Sequence, residues 1–303
     1  MIRTIGAALL ALTVLGGCVT ANAQSAADNA YAGQGPALFV ARDADSTLYL
    51  YSTIHIRKPN TVWAGPNAQA GLAEASEIWT ELLMSPEAEA NGQRIALQLA
   101  MAPADRPLSS RLSAEDYARL EALCAQLGFP VAVMNAWEPW FAAVTLSVLP
   151  AMRAGYDPMS GVDRQVDRFG DEHGKTMRAF ETMEQQLGFL SGFSDEVEVQ
   201  WLVESIMYAE MGVAYLDAMS LAWESGDIAM LEELVVDTMR EQSPDVYNVL
   251  LVQRNNAWMP MLMTELEGSG VDFVAVGAGH LLGPDGLVAQ LRARGVTVER
   301  VAP

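Results

Sequence analysis

Four separate strand-like runs in this chain end on, or run directly into, a side chain that can ligate a metal or move a proton. The runs at 47–51, 77–82, 175–180 and 272–276 are short, carry apolar and β-favouring residues, and deliver His55, Glu81, Glu181 and His280 in turn. In an open α/β sheet, loops converge at the carboxyl ends of the strands, and ligand sites form there. A chain that repeats the arrangement four times is expected to be α/β (or α+β). The expected core is a mixed central sheet with His and Glu at its strand ends.

The rest of the chain supplies the other elements. A strand at 37–42 joins 47–51 through Asp43-Ala44-Asp45-Ser46, which reads as a hairpin. Helical patterns occupy 67–76, most of 87–155, 161–174 and 183–266, so a large helical insertion is expected to cover the site. Ser113 is placed to cap a helix whose first turn holds Glu115 and Asp116. Gly283-Pro284-Asp285-Gly286 opens a last helix at 287–294, Gly295 ends it, and a strand follows at 296–301. Hydrophobic residues make up 51% of the chain, enough for a sizeable core, and a single domain over 37–303 is expected.

The first residues have the form of an export signal. Arg3 precedes an apolar run at 5–15, which is short of the roughly 20 residues a spanning helix needs. Leu15-Gly16-Gly17-Cys18 matches a lipobox, making 1–17 a lipoprotein signal and Cys18 the lipidated residue; Ala21-Asn22-Ala23 fits ordinary cleavage of a 1–23 signal peptide. Residues 24–36 read as a flexible tether. The protein is expected to be exported, periplasmic or anchored to the outer membrane as a lipoprotein, with membrane contact only through that anchor. A formal charge of −20 and the lack of a basic run exclude nucleic acid as a partner. Cys18 and Cys124 are the only cysteines, so no disulfide framework exists, and Cys124 sits in a helical apolar pattern as a core thiol.

The chain has three histidines. His173 lies at a polar helix end and reads as a capping or solvated residue. His55 and His280 lie in short loops of small residues after strands. Imidazole with carboxylate is the usual donor set for a catalytic first-row metal. On spacing alone the same residues also read as hydrogen-bonded structural groups, helix caps or ion-pair partners. The chain lacks a Gly-x-Ser-x-Gly elbow, a P-loop and a dinucleotide fingerprint. Trp137, Trp140 and Phe141, and the methionines between 206 and 263, read as core.

The motifs add to this. Gly277-Ala278-Gly279-His280-Leu281-Leu282-Gly283-Pro284-Asp285-Gly286 closely resembles the C-terminal signature of TraB/GumN proteins, a family related to the Tiki metalloproteases. The family carries a pair of Gly-x-x-His motifs; Ser52-Thr53-Ile54-His55 resembles the first, with Ser52 where the family has glycine. Glu81, Gly161-Val162-Asp163, the segment from Phe180 to Gln185, and Arg254-Asn255 with Trp258 resemble further family motifs, so the likeness spans 37–301. The resemblance implies a divalent-metal hydrolase (Mn, Co or Zn) acting on a peptide or protein. His55 and His280 would be metal ligands, and Glu81 a further ligand or the general base, with Glu181 the other candidate. Arg254 and Asn255 would polarise the substrate carbonyl. A serine in a position needing positive φ would cost about 1–2 kcal/mol and point to a degenerate member. Two alternatives stay open: a non-catalytic envelope protein that binds a peptide or is related to exopolysaccharide, and an esterase.

Overall fold

The computed structural model describes residues 33–59 and 61–302. The expected signal segments, the lipobox with Cys18 and residues 24–32 of the tether lie outside them. Strand β1 (Leu38–Arg42) turns into β2 (Ser46–Thr53) where the Asp43 carboxylate accepts the N–H groups of Asp45 and Ser46. Then follow α1 (Pro66–Glu74), β3 (Glu77–Thr80), α2 (Pro86–Ala100), α3 (Ala114–Gln126), α4 (Pro139–Arg153) and α5 (Val162–His173). Strand β4 (Thr176–Ala179) leads into α6 (Met183–Leu190), α7 (Asp195–Met211), α8 (Ala214–Ser225) and α9 (Arg254–Glu267). The chain closes with β5 (Gly270–Gly277), α10 (Leu287–Ala293) and β6 (Thr297–Val301).

The six strands form one mixed sheet in the order β4-β3-β5-β2-β1-β6, as the strand-end pattern predicts. Strands β4, β3, β5 and β2 run parallel, while β1 lies antiparallel to both β2 and β6. Thr53 pairs with Gly277, and Thr80 with both Ala275 and Ala179, so all four parallel strands stop at one edge. Helices cover this part of the sheet, which is why Phe273 to Gly277 is continuously buried and reads as an unbroken apolar run.

Several local expectations hold. Trp137, Trp140 and Phe141 pack edge to face in the core, with centroids 4.9 and 5.3 Å apart. Cys124 is buried beside Met134, and burial pushes its thiol up to about 11. His173 ends α5 with Nδ1 2.9 Å from the Phe169 carbonyl, and Gly174 follows in the left-handed conformation.

The apolar stretch at 136–154 becomes helical at Pro139, whose ring suits a first turn, while Trp137 bridges to Met101. One segment differs from its expected form. The 183–266 region contains two π-helical segments, Glu232–Asp237 and Asn248–Gln253, wider than an ordinary helix turn. Both press on the loop after β5: a Cβ on Gly279 would lie 3.2 Å from Val235 and 3.5 Å from Leu251. The end of the expected tether is seated, with Gly33 N–H donating to the Ser225 carbonyl. No helix among the described residues is long and apolar enough to cross a membrane.

Helix α6 begins with a reciprocal cap, in which Thr182 Oγ1 accepts the Gln185 N–H and Gln185 Oε1 accepts the Thr182 N–H. Thr182→Ala should lower unfolding stability by about 1 kcal/mol, read as a lower urea midpoint at unchanged m value. An unmoved midpoint would show that α6 is held by its packing alone.

Candidate active site

The sheet edge assembles the predicted residues. His55 follows β2 by two residues, Glu81 follows β3 by one, Glu181 follows β4 by two, and His280 follows β5 in the short helical turn Ala278–Leu281. Arg254 and Asn255 open α9 directly after the second π segment and reach the same point. The structure thus brings all six together.

Arg254 is the hub, with its side chain 1% exposed. Its Nε–H donates to Glu181 Oε1 at 2.8 Å, and Nη2–H groups donate to Glu181 Oε2 at 2.9 Å and Glu81 Oε2 at 2.7 Å. Its Nη1–H groups reach the Leu250 carbonyl at 3.1 Å and His280 Nε2 at 2.9 Å. A guanidinium has five N–H donors and no acceptor, so these contacts use all of them. Arg254 therefore acts as a fixed buried charge, with no donor left for a substrate carbonyl. Trp258 completes the shell: its ring lies 4.9 Å from the guanidinium carbon and its Nε1–H donates to Glu181 Oε1 at 2.9 Å.

Because Arg254 can only donate, His280 Nε2 must accept, and its proton sits on Nδ1. Nδ1–H then donates to Asn255 Oδ1 at 2.7 Å. The Asn255 amide N–H groups go to the carbonyls of His280 at 3.3 Å and Asp285 at 2.9 Å. Arg254 and Asn255 are neighbours on α9, about 100° apart around its axis, and they bracket the two nitrogens of one ring. Asn255 thus sets the tautomer of His280 and does not face the pocket.

His55 is held differently. Its Nδ1 lies 2.7 Å from Asp163 Oδ2, and Thr53 Oγ1–H donates to Asp163 Oδ1 at 2.6 Å. Its Nε2 is buried with no hydrogen-bond partner among the described residues, 3.9 Å from Glu81 Oε1. Glu81 Oε1 also accepts Gly277 N–H at 2.9 Å. Asp163 was not among the singled-out site residues; its place in the Gly161-Val162-Asp163 motif was the available signal. The glycine is explained by close approach, since a Cβ at Gly161 would come within 2.4 Å of the His55 carbonyl oxygen. Ser52 lies in extended strand β2 opposite Val276, and its carbonyl accepts the Trp223 indole N–H at 3.1 Å. Serine there bears no positive-φ strain.

Burial opposes charge on His55, but the charge and hydrogen bond of Asp163, then the charge of Glu81, push it up to about 9 against Arg254. Burial and the Arg254 charge push His280 down to about 3, which keeps it neutral. Burial would raise the Glu81 carboxyl, yet Arg254, His55 and the Gly277 N–H hold it well below the ordinary range. Burial raises Glu181 despite its bonds to Arg254.

A small pocket of about 30 Å³ opens beside His55, between Thr53–Ile56, the Gly277–His280 loop, and an apolar wall of Met219, Leu231 and Val235. That is room for about two waters. For a divalent cation the fit is at His55 Nε2 and Glu81 Oε1, whose 3.9 Å separation suits two ligands each about 2.0–2.2 Å from one ion. A carboxylate behind the ligating imidazole, as Asp163 is here, is the usual support for such a ligand. Glu81 and Glu181 face the single guanidinium while Asp163 faces His55, so one negative charge is left when His55 is protonated and two when it is neutral. His280 Nε2 lies 3.8 Å from Glu81 Oε2 but is taken by Arg254. A separate acidic group, Glu77, Asp272 and Glu265, lies at the far end of β3 and β5, where Arg178 pairs with Glu77.

A model of the TraB/PrgY/gumN family matches residues 37–300. The uncharacterized protein YbaP of Escherichia coli (strain K12) is 26% identical over 190 residues, 63% of this chain and 70% of the relative. YbaP of Shigella flexneri matches to the same extent. No solved structure gives a significant match.

The Asp163–His55 pair yields a signed prediction for the metal-free protein. A His whose folded value is raised from 6.5 to about 9 stabilises the fold fully below pH 6.5 and loses that contribution as pH rises through 9. In Asp163→Asn the His55 ring should titrate well below 9, followed by NMR of its ring protons, and the stability loss between pH 6.5 and 9 should shrink. A ring still titrating near 9 would contradict the pairing.

Proposed function

The chain belongs to the TraB/PrgY/gumN family, and from that premise we propose that it is an exported, divalent-metal-dependent hydrolase that cleaves a peptide bond in the cell envelope. The observation that carries this reading is His55 Nε2: buried, without a partner among the described residues, backed by Asp163 and aimed at Glu81 beside a pocket sized for water.

His55 and Glu81 would hold the ion, and Mn, Co and Zn are all compatible with a nitrogen–carboxylate donor set. When bound, the ion lowers the pKa of water toward neutrality, so that hydroxide is available for attack on a carbonyl. The remaining work falls to the chain. Asp163 holds the proton on His55 Nδ1, so that an ion at Nε2 would displace only the second proton, which the ring carries below about 9 in the metal-free protein. The Gly277 N–H and Arg254 hold the two oxygens of Glu81, so the carboxylate stays ionised and cannot rotate away. Glu81 Oε1, the oxygen nearer to His55, would then be the second ligand, with the Gly277 N–H on its other lone pair. Arg254 places one fixed positive charge behind the reaction zone, in a low-dielectric setting where such a charge weighs more than in water.

The choice of a peptide rests on the family's relation to the Tiki metalloproteases, because a pocket with room for about two waters selects no substrate by itself. Export is supported by the apolar run at 5–15, followed by both a lipobox and a small-residue cleavage pattern.

Elemental analysis after loading with Mn, Co or Zn should find about one ion per chain in the wild type. His55→Ala should remain folded and carry none. Glu81→Gln should cut the rate on a peptide library by at least about 10²-fold, with circular dichroism confirming its fold. A wild type that stays metal-free after loading would overturn the hydrolase reading and turn attention to peptide or glycan binding.

A further inference from the structure

We infer that His280 does not ligate the ion: it is a positioning residue that locks Arg254, and through it Glu81, leaving the ion to His55 and Glu81. The part of this that concerns the ion rests on the hydrolase reading; the part that concerns Arg254 does not.

An imidazole has two nitrogens, and both on His280 are used: Nδ1 donates to Asn255 Oδ1 at 2.7 Å, and Nε2 accepts from Arg254 Nη1 at 2.9 Å. The ring lines the pocket but is fully buried and tilted against Trp258, with centroids 4.3 Å apart, and neither nitrogen is free. For Nε2 to bind a cation, Arg254 would have to withdraw a charged N–H that has no other acceptor, since its remaining four already serve Glu81, Glu181 and Leu250. Leaving a buried charged donor unpaired is among the costlier defects in a folded protein. An ion at bonding distance from Nε2 would also stand close to the guanidinium, charge against like charge. No donor competes for His55 Nε2, because its hydrogen-bond partner is on Nδ1 and Nε2 has none among the described residues.

Residue spacing explains why Arg254 needs such a lock. The guanidinium must hold Glu81 and Glu181 from two different strand ends at once. An acceptor at His280 Nε2, on a third strand end, fixes the last rotation of the side chain. Glu81 then keeps Oε2 on Arg254 and presents Oε1 toward His55.

Two measurements on the full mature protein test this. Long-range ¹H–¹⁵N correlation on the metal-stripped protein should show His280 protonated on Nδ1 alone, with a slowly exchanging Arg254 Nη1 proton. That proton should persist in His280→Gln, whose side-chain oxygen can replace Nε2 as acceptor, and vanish in His280→Leu. An Nε2–H tautomer, or an Arg254 proton indifferent to both variants, overturns the inference whatever the metal does. Mn²⁺ titration by calorimetry should then give His280→Gln a Kd within threefold of wild type, while His55→Ala weakens binding at least 100-fold. Equal losses in the two variants would make His280 a ligand and overturn the inference. If wild type binds no Mn²⁺, the hydrolase reading fails, and the NMR result alone decides the role of His280.

Discussion

The guanidinium of Arg254 lies at the convergence of three strand ends, and the geometry of the site depends on it. Two carboxylates, Glu81 and Glu181, are buried within reach of each other. Without a cation between them, at least one would have to take up a proton. Arg254 supplies that cation, uses every donor in doing so, and is oriented by an aromatic face below and an imidazole at its tip. A buried ion cluster of this kind contributes little net stability compared with a well-packed apolar core. Its value lies in specificity: it permits one arrangement of the strand ends.

That arrangement has a backbone origin. Parallel strands β4, β3, β5 and β2 stop at a common edge, so residues distant in sequence meet within hydrogen-bond range. The helices between β3 and β5 then complete the site from outside the sheet. Helix α5 brings Asp163 to His55, admitted by the absence of a side chain at Gly161. The π segment before α9 leads directly into Arg254 and Asn255, and such segments are often found at functional sites. The first π segment places Val235 in the pocket wall and Val236 against Gly283. The helical insertion therefore both builds the pocket and fixes the loop that carries His280.

Much of this was legible in the sequence, for physical reasons that differ by residue. The short β-favouring runs that end on or lead into His55, Glu81, Glu181 and His280 reveal the sheet and its candidate site edge, because strand composition and strand-end chemistry are local signals. The capping role of His173 and the core setting of Cys124 were legible on the same grounds. Asp163 was half legible: its motif could be seen, but its meeting with His55 depends on α5 starting beside the end of β2, where the Val162 N–H donates to the Ile54 carbonyl, a tertiary contact that no local pattern encodes. The commitments of Arg254 and Asn255 were not legible. A side chain that could polarise a carbonyl and one that has used all its donors look identical in sequence. The π segments were invisible for a related reason, since an inserted residue leaves the apolar pattern helical. Ser52 in place of the family glycine looked like possible strain and proved to be ordinary extended backbone.

The central claim is that one cation position exists, between His55 and Glu81, with His280 held away by Arg254. Crystals of the mature protein soaked in Mn²⁺, with anomalous difference maps at the metal edge, test it most directly. The account predicts one dominant peak at bonding distance from His55 Nε2 and Glu81, with His280 Nε2 still on Arg254. A peak bonded to His280 Nε2, a peak only at Glu77, Asp272 and Glu265, or no peak at the strand ends would contradict it.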